Sequence, residues 1–221
     1  ALGAAALEQR PAATDPSTRQ QLRSMKPGHH RIAIVGAGPG GLSAAAHAAQ
    51  LGVDHVLLEA SPAHAHTIQR YQKGKHVMAE PAVVPLRSDL PFTAGTREAI
   101  LGSWQQGIAP LGTNIRYSSE VVSVSGMKPA FTLTLSGGAT IAAKSVVLAI
   151  GLQGNPRKLG APGEDASLVQ YTLDDPEEYR GETIIVVVAG DAAIENAIAL
   201  SRNNTVIGVN RRDELAKLIS E

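Results

Sequence analysis

The chain has no cysteine. Disulfide scaffolds, thiolate metal sites, cysteine nucleophiles and a redox-active dithiol carried on this chain are thereby excluded. The absence fits a reducing compartment, and a cytoplasmic setting is the expectation. Aromatic residues are 3% of the 221, too few for base-stacking platforms. An excess of either charge is also missing, since Lys+Arg and Asp+Glu both number 20. No long-range field therefore steers the protein to nucleic acid or an anionic membrane. No apolar run approaches the roughly 20 residues that span a bilayer. The N-terminus lacks the basic start and long apolar stretch of a secretory signal.

A hydrophobic content of 43% supports one large domain or two modest ones. Ala1–His30 is Ala-rich, then polar and punctuated by proline, and reads as a flexible leader or linker. With no initiator Met, processing or a longer parent chain is expected. Regular structure is predicted from Arg31. Ile32-Ala-Ile-Val35 is a short apolar run suited to a buried parallel strand. Gly36-Ala-Gly-Pro-Gly-Gly41 follows, with Gly36, Gly38 and Gly41 spaced G-x-G-x-x-G. Leu42–Leu51 is Ala-rich and free of β-branched residues, a good helix, and Gly52 stops it. Val53–Leu58 is a second strand tipped by Glu59.

Each part has a physical task. Gly36 permits a tight turn, Gly38 lets backbone approach a pyrophosphate, and Gly41 lets helix and strand pack closely. The anion then rests on free N–H groups at the helix start. Glu59, eighteen positions after Gly41, can accept from both ribose hydroxyls. A glycine-rich βα turn without a ligand is the alternative, and it leaves Glu59 unexplained.

GAGPGGLSAAAHAAQLGVDHVLLEA resembles the FAD-binding start of two-dinucleotide flavoproteins, above all the thioredoxin-reductase-like group. Those proteins place proline after the second glycine, as Pro39 stands here, and glutamate at the second strand's end. The resemblance implies FAD held by Gly36, Gly38, Pro39, Gly40, Gly41 and Glu59. It implies an adenine contact from backbone near Val122. Arg70–Pro81, RYQKGKHVMAEP, is then a candidate flavin-facing loop within the irregular stretch Ser61–Phe92. His64 and His66 form an H-x-H pair; with no further ligands nearby, exposed loop histidines are expected.

Farther on, Thr96–Leu101 starts a helix whose body includes Trp104, and Asn114–Val124 is a strand region. Phe131–Leu135 alternates strictly and turns through Ser136-Gly137-Gly138 into Thr140-Ile141, a hairpin. Lys144–Gly151 is another buried strand. With the proline-rich run to Glu164 it resembles the family's alanine-threonine-glycine motif, which implies flavin contacts from Ala149 and Gly151; Ile150 replaces the threonine. A hinge is expected near Asn155–Gly163.

The last unit is Thr183–Val187 as strand, Val188–Ala193 as turn, Ala192–Ser201 as helix and Asn204–Val209 as strand. GDAAIENAIAL is similar to the family's pyridine-nucleotide turn, with Gly190, Asp191 and Ala192 as implied contacts. Arg211 and Arg212 at the next strand's tip suit a 2′-phosphate, favouring NADPH over NADH. Val188 stands where glycine usually opens the turn. A glycine-like conformation there would strain a β-branched residue by roughly 1–3 kcal/mol. No Cys-x-x-Cys pair precedes the turn, so the nearer likeness is to thioredoxin-reductase-like ferredoxin–NADP reductases.

The expected class is α/β: a Rossmann-like FAD-binding domain with parallel sheet and β-meander over 31–160, then the start of a second Rossmann-like NAD(P)-binding domain over 161–221. The resemblance covers Arg31 to the end, about the first two-thirds of the family pattern, so the chain reads as a fragment. The implied function is an oxidoreductase passing electrons from NADPH or NADH through FAD to an external protein or small-molecule acceptor. No catalytic acid, base or nucleophile is named, because the cofactors carry the chemistry. A noncatalytic nucleotide-binding module is the competing reading, and a flavin monooxygenase a less favoured third. A homodimer is left open.

Overall fold

The computed structural model describes residues 28–78, 86–152, 158–188 and 190–210. Strand β1 (His29–Val35) opens the fold and helix α1 (Pro39–Gln50) follows it. Both begin ahead of expectation. His29 and His30 pair with Ala142 and Ala143 and so belong to the sheet rather than to a leader. Pro39 sits in the first turn of α1, where its missing N–H costs no hydrogen bond. Gly52, at φ +63, ends the helix. Strand β2 (His55–Leu58) then runs parallel to β1, Val35 opposite Leu58.

The short helix α2 (His66–Gln69) follows, then β3 (His76–Val77), which pairs antiparallel with β4 (Gly95–Thr96). Helix α3 (Arg97–Ile108) is capped by the Thr96 hydroxyl, which accepts from the Ala99 amide at 3.3 Å. The predicted strand Asn114–Val124 is split. Strand β5 (Ile115–Arg116) pairs with β2, and β6 (Val121–Met127) belongs to the meander. Ser118, left-handed at φ +49, separates them. Strands β7 (Ala130–Leu135) and β8 (Thr140–Leu148) complete the meander. The hairpin return and the following strand are thus one nine-residue strand, which pairs antiparallel with β7 and parallel with β1.

The resulting six-stranded order is β5-β2-β1-β8-β7-β6. The uninterrupted apolar run of β1 follows from burial on both faces. Ile34 and Leu57 pack under α1 with Leu42, Ala45, Ala46, Ile100 and Trp104. Ala33, Val35, Val56 and Leu58 face Leu133, Ile141 and Ala143 of the meander. Alanines on α1 keep the helix close to the sheet, as helix–sheet packing without voids requires.

Beyond a single 3₁₀ turn (Pro176–Glu178), β9 (Thr183–Val188), α4 (Asp191–Leu200) and β10 (Thr205–Asn210) form a second βαβ unit. Its two parallel strands make a separate sheet, Val188 opposite Asn210. Among the described residues no helix is long and apolar enough to cross a membrane.

Candidate functional site

Neighbours of β1 diverge at its C-terminal end: β2 lies on one side and β8, far downstream, on the other. Open α/β sheets place ligands at such a switch point. The Gly36 amide donates to Leu58 O at 2.8 Å, and the Ala149 amide donates to Val35 O at 2.8 Å. Gly36, Glu59 and Ala149 are thereby brought together at the C-terminal end of β1.

The glycines divide their tasks. Gly36 has φ +97, and a Cβ on it would lie 2.5 Å from Ala149 O. A Cβ on Gly41 would lie 1.8 Å from Gly36 O, so only glycine allows α1 to cross the turn this closely. A Cβ on Gly38 would meet nothing within 4 Å, and the same holds for Gly40. Among the described residues nothing occupies the space next to Gly38. Gly38 caps α1 without any side-chain hydrogen bond, and Pro39 has no N–H to offer. The first-turn amides of Gly40 and Gly41 have no intrahelical acceptor and stand at the positive end of the helix dipole, suited to an anion.

Glu59 is buried at 8% exposure and points into this turn. Its Oε2 accepts from the Ala37 amide at 2.6 Å and its Oε1 from the Ser61 amide at 2.9 Å. Each oxygen keeps further lone-pair capacity, so the carboxylate can still accept from a sugar hydroxyl. Ala37, absent from the sequence-derived site, is the residue through which Glu59 and the turn touch; only its place inside G-x-G signals it.

Val122 lies away from this cluster, on the meander edge. It is the extra residue of a β-bulge: Val121 pairs with Leu135 and Ser123 with Thr134. The bulge leaves Val122 without a partner in the β6–β7 register. Gly151, left-handed at φ +66, ends the run after Ala149.

His64 corrects an expectation. It is 4% exposed, and its Nδ1 is hydrogen bonded to the Tyr117 hydroxyl at 3.1 Å. Burial lowers its pKa, partly opposed by Glu59. Burial raises the pKa of the Tyr117 phenol, and Glu59 raises it further. His66 is exposed at the start of α2, and no cluster of three His, Cys, Asp or Glu side chains forms a metal site among the described residues.

In the second unit Gly190 caps α4 with extended backbone, φ 166, and no side-chain cap. A Cβ there would meet nothing within 4 Å, so a second open helix start stands beside Asp191 and Ala192. Val188 ends β9 in strand conformation and is not left-handed, which removes the expected backbone strain. Arg211 and Arg212 lie outside the described residues, as do residues 155–157 of the expected hinge and 79–85 of the loop region.

Two βαβ units, each with an uncapped, glycine-opened helix start, define a Rossmann-type nucleotide-binding protein. Residues 33–220 match the model of the pyridine nucleotide-disulphide oxidoreductase family, and the chain belongs to that family. It is 31% identical over 182 residues to a ferredoxin–NADP reductase of Ignicoccus hospitalis, covering 82% of this chain and 56% of the relative. A thioredoxin reductase of Treponema pallidum is 32% identical over 190 residues, covering 83% and 56%. The chain thus spans about half the length of the curated relatives it matches. A bacillithiol disulfide reductase of Staphylococcus aureus shares the fold, with TM-score 0.74 and 20% identity over 87% of this chain and 60% of that one. Ferredoxin–NADP and thioredoxin reductases use FAD and NADPH.

Proposed function

We propose that the chain is the nucleotide-binding part of an FAD-dependent oxidoreductase that takes hydride from NADPH and delivers electrons to an external carrier. The observation that supports this most is the Gly36–Glu59 constellation: an open space over Gly38, two first-turn amides beside it, and a buried carboxylate anchored on Ala37. Gly40 and Gly41 amides would hold the diphosphate, Glu59 the adjoining ribose, and the Val122 peptide the adenine. Ala149 and Gly151 would line the flavin side. Bound FAD supplies the capacity to take up two electrons as hydride and release them to an acceptor. The protein's part is to bind, to orient and to exclude water.

Gly190, Asp191 and Ala192 would receive the pyridine nucleotide, with Arg211 and Arg212 on its 2′-phosphate. The present chain has no cysteine for dithiol exchange, so a one-electron carrier of the ferredoxin type fits better than thioredoxin. A cytoplasmic setting suits both NADPH and the absence of cysteine.

The test is a visible spectrum of the purified chain supplied with FAD, followed by NADPH under anaerobic conditions. Retained flavin absorbance that bleaches on NADPH addition is expected. Flavin that is held but ignores NADPH would reduce the reading to a noncatalytic nucleotide module. A protein that retains no flavin would overturn it.

A further inference from the structure

The segment after Glu59 encloses the nucleotide turn through a closed set of hydrogen bonds. Ala37 has both polar backbone atoms committed: its N–H donates to Glu59, and its carbonyl accepts from the Ala65 amide at 2.8 Å. The Ser61 amide donates to Glu59 Oε1, while the Ser119 amide donates to Glu59 O at 2.7 Å. The Ser118 amide reaches Ser61 O at 3.1 Å. Between these, His64 and Tyr117 are joined side chain to side chain, 53 positions apart in sequence. Gln69 Nε2 donates to His64 O at 2.7 Å and holds that backbone from the other side.

A second observation marks the same junction. Among the described residues, Ala65 (φ +55) and Ser118 (φ +49) are the two non-glycine residues with positive φ. Each is the immediate successor of one member of the pair. Such conformations persist only where surroundings over-determine them, and they cluster at functional sites.

We propose that His64 and Tyr117 are positioning residues for the dinucleotide turn: their hydrogen bond clamps the Ser61–Ala65 loop, so that Glu59 and the Ala37 peptide hold receiving geometry before the ligand arrives. The proposal rests on the FAD reading above. Neither residue is assigned a chemical step. The charged and titratable groups facing His64 are Glu59 and Tyr117, and burial favours the neutral imidazole. Acidification that forces a proton onto His64 puts a charge in this buried place and fixes Nδ1 as the donor to Tyr117, which disfavours the closed loop.

FAD fluorescence quenching on the 221-residue chain between about pH 5 and 8 tests this. Tyr117→Phe removes the hydroxyl alone and is expected to weaken FAD about fivefold, the worth of one neutral hydrogen bond. His64→Asn keeps a polar group near the Nδ1 position. It is expected to restore affinity relative to His64→Leu while abolishing the acid-side loss seen in the wild type. Without ligand, amide exchange at Ala37 and Ala65 should quicken in Tyr117→Phe, a readout that does not depend on flavin. Wild-type FAD binding with Tyr117→Phe unaltered in affinity and in exchange would overturn the clamp and leave the FAD reading standing. A wild-type chain that binds no FAD would overturn both.

Discussion

Gly38 and Gly41 carry different tasks in the motif, and their surroundings differ accordingly. Gly41→Ala drives a methyl into Gly36 O, and such overpacking against backbone costs about 3 kcal/mol. Its thermal midpoint should fall well below that of the wild type. Gly38→Ala meets open space at φ −73, which alanine adopts freely. It should melt with the wild type and fail to retain FAD, because the added methyl occupies the diphosphate's approach. A Gly38→Ala protein that keeps its flavin would remove Gly38 from the site. The spacing of the glycines was legible in the sequence, and so was the division between open approach at Gly38 and close packing at Gly41; the Ala149 carbonyl that crowds Gly36 was not, since it comes from just past the far end of β8. His64 was misread for a similar reason. Its partner Tyr117 is remote in sequence, and an H-x-H pair among Pro, Ser and Ala offers no local sign of burial. Because burial lowers its folded-state pKa below the ordinary 6.5, the unfolded chain binds the extra proton first as pH falls. His64 thus contributes stability at neutral pH that declines as pH drops below about 6.5. Wild type should lose more stability than His64→Asn over that interval in urea unfolding.

At the level of elements, β1, β2, α1, the meander hairpin and the second βαβ unit were all legible. Their patterns are local: a doubly buried apolar run, an Ala-rich helix stopped by Gly52, strict alternation around Gly137-Gly138. Boundaries were less so. Strand β8 was read as two pieces, because one half alternates to face the meander's core while the other runs on beside β1. The break at Ser118 depends on hydrogen bonds to Ser61 and Glu59, which no local pattern announces. Val188 is the instructive case in β9. Taken as part of the turn it threatened strain; as the strand's last residue, opposite Asn210, it has the extended backbone that β-branched residues favour. Val188→Gly should then cost roughly 0.5–1 kcal/mol of stability, as glycine does in a strand. If the isopropyl group obstructs the nucleotide, the same change tightens NADPH binding in a fluorescence titration. Unchanged affinity would acquit the side chain.

Over the whole molecule, the two units meet through the loop that the resemblance assigns to the flavin. The Lys73 amide donates to Asp174 O at 2.8 Å, and its ammonium lies 3.4 Å from Asp175 and 3.3 Å from Glu177. Those bonds raise the Lys73 pKa, Glu177 first and Asp175 next. Lys75, only 17% exposed and lying over the Tyr71 ring, pairs with Glu195 of α4. Opposite charges brought together from segments this distant give no signal in a balanced composition, so this contact was not legible. Lys75→Glu should weaken the junction by about 0.5–1 kcal/mol and speed proteolytic cleavage between the units. The double reversal Lys75→Glu with Glu195→Lys should restore resistance, and high salt should mimic the single change. Nothing of the kind would follow if the pair were incidental. The Ala149 wall carries a last consequence, for biogenesis. The turn at Gly36 meets Ala149 only once β8 has docked beside β1, long after the glycine turn has left the ribosome. Cofactor capture is accordingly a late event in synthesis, and nascent chains halted before Ala149 should emerge colourless however much flavin surrounds them.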